Sequence, residues 1–483
     1  MLRLLSAVSA WAILAAAPAA ALTAPELWES WQATLGRYGA TLTAESEDYS
    51  GGTLRLEGIV AEAPAVGDAE PSTTRYGALS LVEVDGAVRI EPPAQLEIET
   101  TSGGETSALV LEHEGLDYTV REEDGAHVYD GAAARLSYTI DDVSEGDSEA
   151  PVPMTLTLSD VASRTRLGAD DRYEGTFSGG MRIEATSEGM PSFTLDYALA
   201  GIEGTASGTL PDPGALAGDP AAAPERIAFD LDTEVTHAGG RTALQGTGPQ
   251  GPFAVDGSSG GGRIAVALSP EAMGYEVSSS EMAITLTRPG LPLPVNLSLA
   301  EANVALDVPL AADAGLQPYA MRVLLEELAV DETLWALFDP TGQLARDPAT
   351  LELAIDGEAE VLADLFDPAA MEAMAGSPLL PRTLNLAALL VRVAGAELRG
   401  TGALQFPGLP ANPMPLGTAT LELDGGFALL DGLVALGFVP PQQAALVKGM
   451  AGAVAQPVGD DALRSDLEFT ETGVLANGLP LPF

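Results

Sequence analysis

The feature that most constrains the fold is a two-residue alternation of apolar and polar side chains that returns in short segments along the chain. Leu54-Arg55-Leu56-Glu57, Leu79-Ser80-Leu81, Val88-Arg89-Ile90-Glu91 and Leu96-Glu97-Ile98-Glu99 carry it early. Thr155 to Leu158, Met181-Arg182-Ile183-Glu184, Ile227 to Val235, Ile284 to Thr287 and Leu351 to Ile355 carry it later. Successive side chains of a strand point to opposite faces, so each segment sets one face towards an interior and the other towards water. Turn residues separate the segments, and Asp85-Gly86 is a hairpin signal. The pattern predicts a mainly β chain: a long curved antiparallel sheet, as a groove or an open barrel-like form. No repeat of fixed period marks a propeller or solenoid.

Helices are expected at the ends. Thr23 followed by Glu26 has the form of a capping box, and Leu27, Trp28, Trp31, Leu35 and Tyr38 fall at helical spacing before Gly39. Two tryptophans on one stripe read as a face docked on a core. Asp331 caps a short turn holding Leu334, Leu337 and Phe338, which Asp339-Pro340 ends. Another short helix is predicted over Val361 to Phe366, ended by Asp367-Pro368. Phe427 to Leu436 and Gln442 to Val454, broken at Pro440-Pro441, read as a C-terminal helical hairpin. Strands over Leu463 to Phe469 and Val474 to Leu481 close the chain, the second interrupted by Asn477-Gly478. The Pro-, Ala- and Gly-rich segment Pro211 to Pro224 fits a linker or a long excursion between strands of one sheet.

Residues 1–21 have the form of a secretory signal peptide: Arg3, an apolar stretch from Leu4 to Ala17, and Ala19-x-Ala21 as the cleavage site. An uncleaved anchor is the alternative. Cleavage leaves residues 22–483 as a single elongated β-rich domain, periplasmic or secreted. The chain has no cysteine, so a lipid-modified cysteine and disulfides are both excluded. The apolar run Leu386 to Val391 is too short to span a bilayer and stops at Arg392, so no transmembrane segment is expected after cleavage. With 22 basic and 70 acidic residues the net charge is −48, and Lys448 is the only lysine. Such a surface offers no patch for nucleic-acid phosphates and repels anionic head groups over most of its area.

The run Trp335-Ala336-Leu337-Phe338-Asp339-Pro340 is followed by Gly342-Gln343-Leu344, Arg346-Asp347-Pro348-Ala349-Thr350 and Asp367-Pro368-Ala369-Ala370-Met371. With Met273-Gly274-Tyr275, Ala476-Asn477-Gly478 and the opening Leu27-Trp28-Glu29-Ser30-Trp31-Gln32, it resembles the alphaproteobacterial family catalogued as domain of unknown function 2125. The resemblance covers nearly the whole mature chain. It implies a secreted or periplasmic protein with no accepted enzyme activity or cofactor, in which the Asp-Pro segments are turn punctuation.

No catalytic, cofactor-binding or metal-binding residue is assigned. Gly257-Ser258-Ser259-Gly260-Gly261 matches a nucleophile elbow in form, but the strand-like Arg263 to Ala267 follows where a helix is required, and a glycine-rich hairpin turn fits better. His113, His127 and His237 fall in separate segments, and His113-Glu114 lacks the second histidine of a zinc helix. The cluster Asp141, Asp142, Glu145, Asp147 and Glu149 lacks the spacing and turn glycine of a calcium loop.

Three functions remain. One is a non-enzymatic envelope protein binding lipid or another hydrophobic ligand in a β-sheet groove. The second is a structural or interaction module with a filled core and an envelope protein partner. The third is a hydrolase whose site is assembled from scattered residues. A continuous unfilled apolar channel favours the first, a filled core the second, and convergent polar side chains in a concave pocket the third.

Overall fold

The computed structural model describes residues 22–65, 70–140, 152–188, 192–211, 229–291, 293–312, 315–365, 367–374, 376–409 and 414–481. The predicted signal peptide, the acidic cluster from Asp141 to Glu149, Ile227-Ala228 and all of Pro211 to Pro224 except Pro211 itself lie outside them. The chain divides into two compact units, Met1–Ala254 and Val255–Phe483. Each is mainly β, and every strand pairing within each is antiparallel among the described residues.

In the first unit Thr41–Thr43 and Ser46–Ser50 both pair with Thr53–Ala63, which pairs with Ser72–Val84. Ala87–Glu91 and Gln95–Ser102 follow, then Asp117–Glu123 and Glu105–Glu114, both against Ala126–Ile140. The path continues through Met154–Leu167, Arg172–Ser187 and Ser192–Thr209 to Asp230–His237 and Gly239–Gly248. Its first and last strands are not paired with each other among the described residues, so the sheet is open and not a barrel. Asp85-Gly86 forms the expected hairpin, with φ of +50° and +83° and Val84 paired to Ala87.

The first helix, α1 (Ala24–Arg37), starts as the sequence predicts. Glu26 N–H donates to Thr23 Oγ1, and Thr23 N–H donates back to Glu26 Oε2 at 2.9 Å. Trp28 Nε1 donates to Glu47 Oε1 at 2.9 Å, which frees its ring to pack. Leu27, Trp28 and Trp31 are buried with Leu54, Leu56, Ile59, Leu79, Leu81, Val88, Ile90, Val120 and Tyr129 in one cluster. Each such aliphatic side chain contributes about 1.5–3 kcal/mol by leaving water. The core of this unit thus sits under α1, against the first strands.

Within the long strands the alternation skips a beat. Apolar residues fall three apart at Leu56 and Ile59, Ala133 and Leu136, Leu158 and Val161, and Leu199 and Ile202. A residue of positive φ fills three of these gaps: Gly58 (+60°), Asp160 (+49°) and Gly201 (+58°). Neighbouring strands place their irregularities side by side. Gly115 (φ +63°) faces Ala134 between the pairs Glu114↔Arg135 and Asp117↔Ala132, and Ala134 faces Asp160. The ladder beside Asp160 is bulged at Gly179, and Gly201 faces Ala238. The result is a crease running across the strands. Leu56 and Ile59, on either side of it, share one cluster, so the extra residue keeps both halves' apolar side chains together.

In the second unit the path runs Gly261–Leu268, Ala272–Thr287, Val295–Pro309, Leu316–Val330, Ala349–Val361, Thr383–Val393, Ala396–Gln405, Leu416–Asp424 and Ala462–Thr470. A crease recurs at Glu281 (φ +50°), Ala300 and Glu327 (φ +56°), with Leu299 and Ala302, and Leu325 and Leu328, three apart. The expected hairpin at Gly257 to Gly261 is not there. Gly260 N–H donates to Ser280 O and Gly261 pairs with Ser280, so the chain passes straight through opposite the Glu281 kink. The glycines serve a close approach, since a Cβ on Gly260 would lie 2.5 Å from Glu281 Oε2. The turn comes later, between Leu268 and its partner Met273.

Among the described residues, four short helices decorate this unit. Asp331 caps α2 (Glu332–Phe338), accepting from Leu334 N–H at 3.0 Å. The helix expected over Val361 to Phe366 is displaced: Val361 ends a strand, and α3 spans Pro368–Ala373. Asp367-Pro368 starts this helix instead of ending one, because Asp367 accepts from Ala370 N–H as an N-cap and proline suits a first helical position. The predicted hairpin is α4 (Gly426–Ala435) and α5 (Pro441–Val454). The last segment turns at Asn477-Gly478 (φ +51° and +80°), pairing Gly473–Ala476 with Leu479–Pro480.

Candidate functional site

Directly opposed residues of an antiparallel ladder share a face, so registers identify which side chains stand together. In the second unit one row runs Ile264, Val277, Val304, Val323, Leu353, Leu389, Gly400 and Leu421, one residue from each of eight neighbouring strands. A second, two residues along on each strand except Thr383–Val393, where a bulge makes it three, runs Val266, Tyr275, Leu306, Met321, Ile355, Leu386, Gly402 and Ala419. At ~4.8 Å per strand each row crosses roughly 34 Å. Gly400 lets its flanking side chains lean inwards, with Leu421 and Leu389 methyls 2.8 and 3.1 Å from where its Cβ would stand.

None of the apolar side chains in the first row is buried. Ile264 is 46% exposed and Val304 39%, and Val277, Val323, Leu353, Leu389 and Leu421 are half-buried. Adjacent residues on the same strands face the other way and carry ion pairs: Arg322 with Glu352 at 3.1 Å, Arg464 with Glu422 at 2.9 Å, and Arg263 with Glu276. The sheet is therefore two-sided, with an ion-paired face and an aliphatic face whose first-row side chains are exposed or half-buried along its length.

The first unit has comparable rows, but these adjoin a second buried cluster: Leu136 and Tyr138 pack against Leu96, Ile98 and Leu111. Leu136, Leu158, Met181 and Leu199 form one row, and Tyr138, Leu156, Ile183 and Tyr197 the next, all half-buried. Arg182 and Asp196, on the opposite face, pair at 2.7 Å. Burial pushes the Tyr138 and Tyr197 hydroxyls above the ordinary tyrosine range. Comparison of the chain with protein-family models, curated proteins and solved structures finds no match.

Other candidates resolve into local structure. His113 Nε2 contacts Pro93 O at 3.0 Å, and His127 is buried edge-on to Tyr129. Among the described residues no three His, Asp or Glu side chains gather as a metal site would require. A hollow of about 500 Å³ is lined by Asp356, Glu358, Thr383, Asn385, Leu384 and Leu404 among others. Its polar groups serve the ladder: Asn385 Nδ2 donates to Asp356 Oδ1, and Thr383 Oγ1 accepts from Glu358 N–H. Asp339 is fully buried, and its carboxylate accepts from Gln343 and Leu344 N–H at 2.8 and 2.9 Å. Desolvation pushes its pKa up, but these bonds and Arg346 outweigh that and hold it below the usual range. The turn it fixes also seats α4, whose Gly432 rests against Gln343 and Leu344.

The alternation foreshadows the apolar rows but not the crease. The signal for the crease is a spacing of three between apolar residues within an otherwise two-period segment.

Proposed function

We propose that this chain is an exported, non-enzymatic envelope protein whose apolar sheet face holds an acyl chain or a similar hydrophobic ligand. In this reading residues 1–21 are removed on export, and the chain belongs to the alphaproteobacterial family it resembles, catalogued as domain of unknown function 2125. The observation that carries the proposal is the continuous apolar row from Ile264 to Leu421, none of whose side chains is fully buried. A contiguous apolar surface left open on a soluble face costs free energy and marks a place where something apolar sits. Its aliphatic make-up suits a flexible hydrocarbon better than a protein hot spot, which is built from Trp, Tyr and Arg. The two rows hold no charged residue, so an acyl chain lying across the strands meets methyl and methylene groups along the first of them.

The test is displacement of a fluorescent fatty acid from delipidated full-length protein. Saturable binding in the micromolar range is expected, weakened at least tenfold by Val323→Glu and unchanged by Thr418→Glu on the opposite face. Wild-type protein that fails to bind, or binds equally well with either substitution, would reject the reading.

A further inference from the structure

The C-terminal hairpin carries an apolar surface separate from the sheet. Asp461 fastens its beginning, accepting from Phe427 and Ala428 N–H at 3.0 and 2.9 Å through its two carboxylate oxygens. Ser465 Oγ and Asn477 Nδ2 fasten its end, both donating to Val454 O. Between these anchors the hairpin turns five large apolar side chains outwards, at its bend and along α5. Phe438, at the bend, is 58% exposed, and Leu446, Val447 and Met450 on α5 are 63%, 50% and 62% exposed. With Val454 the three on α5 fall at i, i+1, i+4 and i+8, one stripe of the helix. The opposite side of α5 is the packed one, with Ala444 buried and Lys448 Nζ donating to Asp431 of α4 at 2.7 Å.

Charge identifies the occupant. From Gly425 to Val458 the only charged residues are Asp431 and Lys448, and they pair with each other. The whole charge of −48 is therefore carried elsewhere, and the hairpin presents a neutral surface. Such a surface suits a partner that is electrically neutral at the contact and apolar beneath. A second copy is a poor fit: Phe438, Leu446, Val447, Met450 and Val454 are five exposed side chains, against the roughly 20–30 residues a side of a stable protein interface. A bilayer has no such requirement. At 14 residues α5 is about 21 Å long, too short to span the hydrocarbon core but able to lie in its boundary.

We infer that the α4–α5 hairpin is a membrane-surface anchor, lying in a bilayer of neutral head groups with Phe438, Leu446, Val447 and Met450 inserted among the upper acyl carbons. The inference does not depend on whether the sheet holds a ligand. It is tested by flotation of the full chain with phosphatidylcholine vesicles. Wild-type protein is expected to float, and Leu446→Glu with Met450→Glu to reduce the floated fraction at least tenfold. Leu479→Glu, at an equally exposed leucine outside the hairpin, should float as wild type. Unchanged circular dichroism of each variant excludes misfolding. Independently, the Phe438→Trp variant should give an emission blue shift on adding vesicles and quenching by lipids brominated near the head group, both measured against wild-type protein. Wild-type protein left at the bottom of the gradient, flotation indifferent to the double substitution, or no added emission shift in the Phe438→Trp variant would each overturn the inference. So would a dimer in sedimentation that the double substitution dissolves, because the stripe would then face a second copy.

Discussion

Arg37, in the last turn of α1, grips Asp171 with two hydrogen bonds of 2.7 and 2.5 Å across 134 residues of sequence. The fork-to-fork geometry ties the N-terminal helix to the turn that joins two of the long strands, next to Arg172. Both side chains are partly exposed, so solvent screening limits the pair to about 0.5–1 kcal/mol. A double-mutant cycle with Arg37→Ala and Asp171→Ala, followed by urea unfolding, should give a coupling in that range that shrinks in roughly 1 M salt. Zero coupling at low salt would show the contact to be incidental.

The two kinds of apolar position should respond differently to truncation. Leu56 is fully buried beneath α1, and Leu56→Ala should cost about 2–5 kcal/mol. Val304→Ala, on the apolar row, should cost no more than about 0.5 kcal/mol in ligand-free protein. Equal losses in denaturant unfolding would mean that the row is packed in solution.

The crease should be intolerant of side chains that its glycines lack. Gly201 has φ of +58°, and a Cβ there would stand 2.9 Å from the Ala238 Cβ. Gly201→Ala should therefore destabilise by about 1–2 kcal/mol, more than Gly248→Ala, which meets nothing closer than 4.0 Å. Thermal unfolding of both variants decides it.

Of the six described carboxylates with lowered pKa values, three tie acid unfolding to helix caps and a buried turn. Thr23 holds Glu26 down, mainly by a side-chain hydrogen bond, and the Leu334 N–H does the same for Asp331; Asp339 is held down against its own desolvation. A folded pKa below the unfolded one stabilises above the unfolded value, near about pH 4, and that contribution is lost as pH falls through the folded value. Glu26→Gln and Asp331→Asn should thus lower stability at neutral pH and flatten its decline below about pH 4. A decline as steep as in wild-type protein would place the acid sensitivity in other groups.

The sequence makes some of this plain and hides the rest for physical reasons. Leu54, Leu56, Leu79, Leu81, Val88 and Ile90 alternate cleanly because α1 covers one side and water the other, so burial follows pattern. The same alternation at Met181 to Glu184 says which side is apolar but not whether anything covers it, because periodicity records facing and not packing. Asp367-Pro368 is ambiguous because Asp-Pro fits both the end of one helix and the start of another, and only the hydrogen bond to Ala370 N–H separates the two. Gly260 has the look of a turn because glycine marks close backbone approach as readily as reversal. Asp331, Thr23 and Asp85-Gly86 are legible because caps and two-residue turns are settled by side chains within three residues of the backbone they serve.

The extra residue at each crease acts as a phase marker for the strand that contains it. Deleting Gly58 would leave the pairing partners of Leu54 and Leu56 untouched, yet it would shift Ile59 and everything after it by one position and turn their apolar side chains to the other surface. Two residues added at the far end of a hairpin, by contrast, preserve the phase on both arms. Length variation among natural relatives of this chain should therefore come in pairs at the strand tips and be all but forbidden at the crease.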